Sequence, residues 1–349
     1  MAPTTSAPVL VTGPTGYIGA HVALELLQHG YRVRGTVRSQ KKFDQLVAKS
    51  EFARYRDHFE AVVVEDLVTG DFSEAMRGVE VVIHTASPCF LHTPEDAEEA
   101  FLTPAIEGTK NVVNAAVRSG TVRNIVVTSS LGAVLSLDDG LPCPEPAPRT
   151  YTENDWNKAT YEEAVQSDMF GFAYSVSKKL AEQAAYDVVK ESGKPIKVAS
   201  LCSPTVFGPY VHVVDKLDNL GQSLGQLWHV VSGECGKDLL PMFVALTVDV
   251  RDLAAAHRLA FERDQDGRFL VSGGEFDWAQ VVDIARQNFP EQAKQTPEPK
   301  DSDRLMGNAK LCTTDNSRSK ELLGLEYGSV EEMLKDSIGQ LYQDQDEGK

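Results

Sequence analysis

This sequence contains few cysteines, and its basic residues are outnumbered by its acidic residues. Five cysteines occur among 349 residues, scattered without a CxxC pair or metal-ligand spacing, so neither a disulfide framework nor a metal site is predicted, and a reducing compartment is indicated. Lysine and arginine total 34 against 51 aspartates and glutamates, a formal net charge of −17. Because such a chain repels phosphate backbones and anionic lipid, the charge argues against nucleic acid and membrane surfaces as partners.

Long hydrophobic runs are also missing. The longest uncharged stretch near the middle of the chain, Val198 to Val214, contains prolines, a glycine and serines, unlike a spanning helix of about 20 apolar residues. No basic segment followed by an apolar one precedes Val9, so no secretory signal is predicted and we expect a cytoplasmic protein. The balance of 42% hydrophobic and 24% charged residues is that of an ordinary globular protein.

Short β-branched apolar runs alternate with helical patterns through the first two thirds of the chain. This alternation is typical of βαβ units, and it predicts an α/β fold with a Rossmann-type doubly wound parallel sheet. Most of the runs lack polar alternation, as expected for strands buried on both faces. The predicted strands are Val9–Val11, Tyr31–Thr36, Phe59–Val64, Glu80–His84, Asn124–Thr128, Ile196–Leu201 and Arg268–Val271. The predicted helices are Tyr17–His29, Pro94–Ser119 with a kink at Pro104, and Gly171–Lys190.

The remainder of the chain predicts a second, smaller region. Residues 1–203 are predicted to form the dinucleotide-binding domain, with 247–273 returning to it, and 204–246 and 274–349 to form a discontinuous C-terminal substrate-binding region. The segment Pro209–Phe243 contains four glycines and is predicted to be a substrate-facing subregion or lid. The proline-rich segment Asp138–Arg149 is predicted to be a loop.

A glycine-rich turn follows the first strand directly. Gly13, Gly16 and Gly19 have the spacing GxxGxxG and lead through Tyr17 and Ile18 into an amphipathic helix. Glycine is needed where the backbone turns, where a pyrophosphate approaches, and where helix meets strand. Since strand, glycines and helix occur in the required order, the segment predicts a dinucleotide site.

The residues after the second strand indicate whether the site binds NADH or NADPH. An NAD site places an acidic residue about 20 positions beyond the glycines, to bind the ribose 2′-hydroxyl. No acidic residue occurs between Glu25 and Asp44, whereas Arg38 and Lys42 lie just beyond the strand end. A guanidinium forks onto a 2′-phosphate, so the sequence predicts NADPH; the alternative is a solvated basic turn.

Two further strand ends are expected at the same crevice. Asp66 and Leu67 follow the third strand and are predicted to contact the adenine. Thr85, Ala86 and Ser87 follow the fourth strand, and these small residues let the backbone approach a cofactor. His84 is interpreted as a structural histidine at the strand end, because nothing near it in sequence completes a catalytic triad.

A hydroxyl-rich strand end and a YxxxK pattern predict the catalytic residues. The fifth strand ends Thr128-Ser129-Ser130, at the edge where ligands bind in open α/β folds. Tyr174 and Lys178 are four residues apart on a predicted helix and share a face. A phenol has a pKa of about 10, and a neighbouring ammonium stabilises the phenolate; lowering the pKa to about 7 takes about 4 kcal/mol. Tyr174 is therefore the predicted general acid for reduction.

Taken together, these motifs resemble the extended short-chain dehydrogenase/reductases. More narrowly they resemble the dihydroflavonol-reductase-like branch, and within it the fungal NADPH-dependent aldehyde, ketone and methylglyoxal reductases. The segments that carry the resemblance are Gly13–Gly19, Asp66-Leu67, His84–Pro88, Glu107–Asn111, Ser129-Ser130, Tyr151–Glu153, Tyr174–Lys178 and Val248–Asp252.

The resemblance implies roles for particular residues. Ser130 is expected to hydrogen-bond the substrate carbonyl, Tyr174 to donate the proton, and Lys178 to hold the nicotinamide ribose. Asn111 is expected to order a proton-relay water. A further set is expected at the cofactor: Thr128, Pro204 and Val206, of which Pro204 stands in a stretch displaced by one residue from the family pattern.

The substrate and the rival functions follow from the same residues. Phe90, Leu131 and Phe207 are predicted walls of a pocket for a small-molecule carbonyl substrate. One alternative is an NAD-dependent nucleotide-sugar epimerase or dehydratase, which the basic turn at Arg38 disfavours. The other is a non-catalytic nucleotide-sensing protein, which the presence of Tyr174 and Lys178 disfavours. We expect a monomer or a homodimer without a bound metal.

Overall fold

A seven-stranded parallel sheet forms the centre of the structure, a computed structural model that describes residues 7–87, 96–135, 149–169, 171–242, 244–304 and 312–349. The strands along the chain are β1 Val9–Thr12, β2 Val33–Val37, β3 Phe59–Val63, β4 Val81–His84, β5 Asn124–Ser130, β6 Thr150–Tyr151, β7 Lys197–Ser203, β8 Thr205–Phe207, β9 Leu246–Asp249, β10 Gly267–Leu270, β11 Gly274–Glu275 and β12 Thr313–Thr314. The large sheet has the order β10-β7-β5-β4-β1-β2-β3. Its order reverses between β1 and β4, the position where open α/β sheets bind ligands.

Helices cover both faces of the large sheet. They are α1 Tyr17–Gln28, α2 Gln40–Val47, α3 Ser50–Ala53, α4 Thr103–Ser119, α5 Tyr161–Gln166, α6 Phe172–Ser192, α7 Gln222–Val231, α8 Val250–Glu262, α9 Trp278–Asn288, α10 Ser317–Leu323 and α11 Val330–Asp346. Helices α1, α2 and α8 bury their apolar side chains on one face, and α4 and α6 cover the other. The predicted fold class is confirmed, and each of the seven predicted strands lies in this sheet.

A second core lies beside the sheet. Its aromatic and aliphatic side chains come from α7, α9 and α11 and from the segment around β8. The small sheet β11-β9-β8 connects this core to the large sheet, since β8 follows β7 after a single residue. The edge strand β10, within the predicted return at 247–273, pairs with β7 in the large sheet.

Two local predictions need correction. Pro104 does not kink a continuous α-helix; it follows a π-helical turn at Glu98–Leu102 and lies in the first turn of α4. Proline lacks the N–H for the bond to residue i−4, so the irregularity lies directly before it. The segment Pro209–Phe243 contains helix α7, and its assignment as a substrate-facing subregion or lid stays a prediction. Strand β3 is an edge strand with Val63 45% exposed, and is not buried on both faces.

Within the described ranges, every helix is too short or too polar to cross a lipid bilayer.

Candidate active site

The glycine turn after β1 is built for close backbone approach. Gly13 has a φ of +68°, which favours glycine. A Cβ on Gly19 would overlap the Gly13 carbonyl and lie 2.8 Å from Thr85 Oγ1. A Cβ on Gly16 would meet nothing closer than 3.5 Å, yet Gly16 is the N-cap of α1 and provides no side-chain cap. The N-terminal N–H groups of α1 therefore face a cleft edge without a protein cap, a suitable place for an anion.

A buried chain of hydrogen bonds fixes the ends of β1 and β4. Thr12 Oγ1 accepts from the backbone N–H groups of Thr85 and Ala86 at 3.2 and 3.1 Å, so its own proton is donated to His84 Nδ1 at 2.9 Å. His84 Nε2 then donates to Thr109 Oγ1 at 3.1 Å. Burial, with the nearby Lys178 charge, lowers the pKa of His84 to about 3. His84 is thus a neutral structural residue, as its position at the strand end predicted.

The loop after β3 is held by its own side chains and by α4. The Asp66 carboxylate accepts from the N–H groups of Val68 and Thr69 at 2.8 and 2.7 Å, and these bonds to Thr69 and to Val68 lower its pKa. The Asn111 amide donates to the Leu67 and Gly70 carbonyls at 3.2 and 2.8 Å. The amide protons of Asn111 thus hold this loop, and its expected water-ordering role stays a prediction.

The predicted 2′-phosphate residues are exposed. Arg38 follows β2 and Lys42 lies in the first turn of α2, both at the carboxyl edge of the sheet. Neither side chain has a carboxylate partner among the residues that the structure describes. By contrast Arg34, within β2, is paired with Glu60 at 2.7 Å. Two cations thus lie at the strand end free to bind a ligand phosphate.

Strand β5 and helix α6 bring the predicted catalytic residues to one edge. Ser130 is the last residue of β5, and its Oγ accepts from the Gly132 N–H at 3.0 Å. The Lys178 ammonium, which is buried, donates to the Thr128 carbonyl at 2.7 Å. The Thr128 hydroxyl is engaged with His257 Nε2 at 2.7 Å. Lys178 and Thr128 line a small enclosed space together with Ala86 and Ser87.

Helix α6 packs directly against the turn that follows Ser130. A Cβ on Gly132 would lie 2.8 Å from Ser175 Oγ, so only glycine allows this approach. Tyr174, in the first turn of α6, is partly buried with its ring 6.1 Å from the Phe101 ring in an edge arrangement. The phenol is therefore oriented by packing at the edge where Ser130 ends its strand.

Tyr17 of α1 packs against both cores, and Pro204 and Val206 lie on the segment that connects them. The Tyr17 hydroxyl donates to the Gly208 carbonyl at 2.8 Å, so its side chain extends toward β8 and leaves its backbone N–H at the α1 terminus. Burial, and then the charge of Asp249, raises the Tyr17 pKa well above its usual value. Pro204 separates β7 from β8, and Val206 is buried within β8.

The predicted substrate residues are not gathered at an open surface. Leu131 is 2% exposed and packs with residues of β6 and β7. Phe207 is fully buried, with its ring 5.1 Å from Phe276 and 6.3 Å from Trp278. Phe90 lies outside the described residues. The substrate-pocket assignment of all three stays a prediction.

Sequence reasoning missed the polar residues that support this edge. Thr12, Glu182 and Arg268 are buried and hydrogen-bonded to it. The signal available for Glu182 is its spacing, four residues after Lys178 on the same face of α6. No local pattern identifies Arg268, which is 86 residues from its carboxylate partner.

Comparisons with known proteins agree with this geometry. Residues 10–262 match the 3-beta hydroxysteroid dehydrogenase/isomerase family. An uncharacterized oxidoreductase of Schizosaccharomyces pombe is 39% identical over 98% of each chain. The NADPH-dependent methylglyoxal reductase GRE2 of Saccharomyces cerevisiae is 32% identical over 95% of this chain and 97% of its own. A crystal structure of Gre2 from Candida albicans in complex with NADPH has a TM-score of 0.83 at 31% identity, covering 97% of this chain and 99% of that chain. The resemblance inferred from the motifs is confirmed.

Proposed function

The chain belongs to the 3-beta hydroxysteroid dehydrogenase/isomerase family, and from that premise we propose that it is an NADPH-dependent carbonyl reductase that converts aldehydes and ketones to alcohols. The observation that carries the proposal is the carboxyl edge of the sheet, where Ser130 ends β5 and α6 presents Tyr174 and Lys178, and where α1 begins without a side-chain cap after β1. Relatives named as NADPH-dependent methylglyoxal reductases support the same activity.

The residues present fit the cofactor. The close packing of Gly19 against Gly13 leaves no room for side chains, and the α1 terminus lacks a protein cap. These features suit a pyrophosphate, and Arg38 and Lys42 suit the 2′-phosphate that distinguishes NADPH. Asp66 and Leu67 are assigned to the adenine, and Thr85, Ala86 and Ser87 to the backbone that runs along the cofactor. When bound, NADPH supplies the hydride that reduces the carbonyl carbon.

The protein's own part is to orient the carbonyl and deliver a proton. Ser130 Oγ accepts from the Gly132 N–H, which leaves its hydroxyl proton for donation to the carbonyl oxygen of a substrate. Tyr174 donates its phenolic proton to the same oxygen as negative charge develops there. The Lys178 ammonium, fixed by the Thr128 carbonyl, stabilises the phenolate that remains.

A steady-state assay with a carbonyl panel tests the proposal. Methylglyoxal, isovaleraldehyde, an α-ketoester and an aryl ketone are each supplied with NADPH or NADH, and cofactor oxidation and product chirality are measured. We expect turnover of at least one substrate with NADPH, and a kcat/KM with NADPH at least about tenfold above that with NADH.

The rival functions give different results in the same assay. Copurified NAD that does not exchange, with no NADPH oxidation on any carbonyl, indicates an epimerase or dehydratase. Tight NADPH binding without turnover indicates a nucleotide-sensing protein. Either result overturns the reductase proposal.

Location and assembly are part of the proposal. Of the described cysteines, Cys202 is a buried free thiol and Cys235 is a partly buried free thiol. Free thiols are typical of a reducing compartment, which supports a cytoplasmic enzyme. We propose a monomer or homodimer, which analytical ultracentrifugation distinguishes directly.

A further inference from the structure

Glu182 places a carboxylate in the interior beside the catalytic edge. It lies on α6, one turn beyond Lys178 and two turns beyond Tyr174, and it is 0% exposed. Its Oε2 accepts from Ser129 Oγ at 2.6 Å, and its Oε1 accepts from Arg268 Nε at 2.7 Å. Glu182 therefore connects the helix that carries the proton donor to the strand that ends in Ser130.

Arg268 distributes its donors over several segments. Besides Glu182, its guanidinium donates to the Ala133 carbonyl at 3.3 Å, to the Glu153 carbonyl at 3.0 Å and to the Asp155 carbonyl. Its carbon Cζ lies 3.6 Å from the centre of the Trp156 ring. This one side chain of β10 thus ties α6 to the turn after Ser130 and to the segment beyond β6.

Stability alone does not explain the pair. Burying two ions costs desolvation energy, and a well-packed apolar pair of similar volume is often as stable or more so. Removing one partner, in contrast, leaves an uncompensated charge in the interior. This buried pair, one helical turn from Lys178, is therefore better explained by what it does to position and charge there.

The charges near Glu182 are few among the residues described. Lys178 and Glu182 line the same small enclosed space, which His84 also lines. Burial lowers the pKa of His84 to about 3, so His84 is neutral at ordinary pH. Burial, and then the Glu182 charge, raises the pKa values of Cys202 and Tyr186 far above their usual range. The acid and base side chains considered below are the Glu182 carboxylate and the two cations Lys178 and Arg268.

Two cations, Lys178 and Arg268, lie close to Glu182, and the structure shows which of them pairs with it. Lys178 and Glu182 share a helix face at i and i+4, the spacing at which such side chains pair. Yet the partners of the carboxylate within the described ranges are Arg268, Ser129 and the Cys202 thiol, whose sulfur lies 3.7 Å from Oε2. The Lys178 ammonium donates instead to the Thr128 carbonyl.

We propose that Arg268 and Glu182 are positioning residues for the proton donor: Arg268 holds the Glu182 carboxylate away from Lys178, so that the ammonium charge acts on the Tyr174 phenol. The inference rests on the proposed function, in which Tyr174 is the proton donor. It predicts that loss of Arg268 frees Glu182 to pair with Lys178, which shields the charge that favours the phenolate.

A tyrosinate titration tests this without turnover. The near-ultraviolet absorbance of tyrosinate is followed against pH in the full chain, and the same curve from the matched Tyr174→Phe protein is subtracted in each background. The backgrounds are wild type, Arg268→Met, Glu182→Gln and the double variant. Arg258→Met is the control, because Arg258 makes a comparable ion pair with Glu25 at 2.8 Å between α8 and α1.

The two single variants have opposite expected signs. In Arg268→Met the Tyr174 midpoint rises by about one pH unit, the smaller end of the effect of a neighbouring charge. In Glu182→Gln it stays or falls, because no carboxylate is left to oppose Lys178. In the double variant the Tyr174 midpoint lies within about 0.3 pH unit of the wild-type midpoint, and in Arg258→Met it is unchanged. In the assay, kcat near neutral pH falls about tenfold in Arg268→Met and recovers in the double variant.

A purely structural role gives a different pattern. An unchanged midpoint in Arg268→Met, or an upward shift in Glu182→Gln, overturns the inference. If Arg268→Met does not fold, Arg268→Gln takes its place, because it also removes the cation that holds Glu182; a raised Tyr174 midpoint in that variant supports the inference and an unchanged one overturns it. A wild-type protein whose Tyr174 titrates as expected but which reduces no carbonyl refutes the proposed function and leaves the charge arrangement standing.

Discussion

The edge formed by β5 and α6 and the second core between α7, α9 and α11 are both deeply buried, but they are held by different forces. At the edge the buried groups are polar, and Ser129, Lys178 and Glu182 each have hydrogen-bond partners. The second core is made of rings and aliphatic chains, with Phe207, Phe276 and Trp278 in mutual edge contacts.

This difference between the two regions shows where the positions of side chains are strictly determined. A buried polar group must be satisfied by a partner at a set distance, so each hydrogen bond at the edge restricts the position of two elements. An apolar core needs the right volume and tolerates many arrangements of it. The chemistry lies where placement is strict, and the second core supports it by packing.

The largest expected effect is a loss of stability in the second core. Phe276→Ala removes a ring that is 2% exposed and contacts Phe207 and Trp278. We expect the free energy of unfolding to fall by about 3–5 kcal/mol, from lost burial and the cavity left behind. Urea unfolding measures it. NADPH affinity of the folded protein should stay within about twofold; a large loss of affinity would show that the two regions are not separable.

The next effect isolates the chemistry of the edge. Tyr174→Phe removes the phenolic proton and leaves the ring against Phe101. We expect kcat to fall at least about 100-fold, which is about 2.7 kcal/mol, with nearly unchanged NADPH affinity and unfolding free energy. Stopped-flow turnover and fluorescence titration measure the two quantities. Equal turnover in the variant would remove Tyr174 from the mechanism.

A smaller effect concerns cofactor choice at the end of β2. Arg38→Ala should raise the Kd for NADPH by about tenfold or more, because a charge-assisted bond to the 2′-phosphate is lost. The Kd for NADH should stay within about twofold. Arg32→Ala is the matched control, since Arg32 is equally exposed but precedes β2 at the opposite edge of the sheet. An unchanged preference ratio in Arg38→Ala contradicts the NADPH assignment.

The smallest expected effect is a pH dependence of the free energy of unfolding that arises from buried histidines at the edge and between the two regions. Burial lowers the pKa values of His84 and His257 at the edge to about 3 and about 4, and that of His21, between the regions, to about 4. The unfolded chain binds protons below about pH 6.5 while these folded groups do not, so stability is full above that pH and falls toward pH 4. Each histidine contributes about 1 kcal/mol per pH unit within that window.

His21→Gln tests the share of one histidine. Glutamine keeps a donor for the Pro209 carbonyl, which His21 Nε2 contacts at 2.8 Å, but does not titrate. The drop in unfolding free energy between about pH 6.5 and about pH 5.5 should shrink by about 1 kcal/mol in this variant. An identical drop in both proteins means that folding does not lower the pKa of His21.

The sequence determined the elements whose rules act over a few residues. Glycine geometry predicts the glycine turn, and the hydrophobic period predicts the βαβ order. Helix pitch places Tyr174 and Lys178 on one face, and the basic end of β2 is read directly from the sequence. Each involves neighbours within about one element, so the sequence predicts these features without any knowledge of tertiary contacts. The same locality explains the interpretation of His84 as structural.

Only the tertiary structure decided the partners that lie far apart along the chain. Asn111 holds the loop at Leu67 and Gly70, 41 to 44 residues away, and Arg268 meets Glu182 across 86 residues. No local pattern encodes which of several cations a buried carboxylate will meet, because that depends on how strands cross over and which edges align. The sequence therefore specified the reacting groups, and the fold specified the charges that surround them.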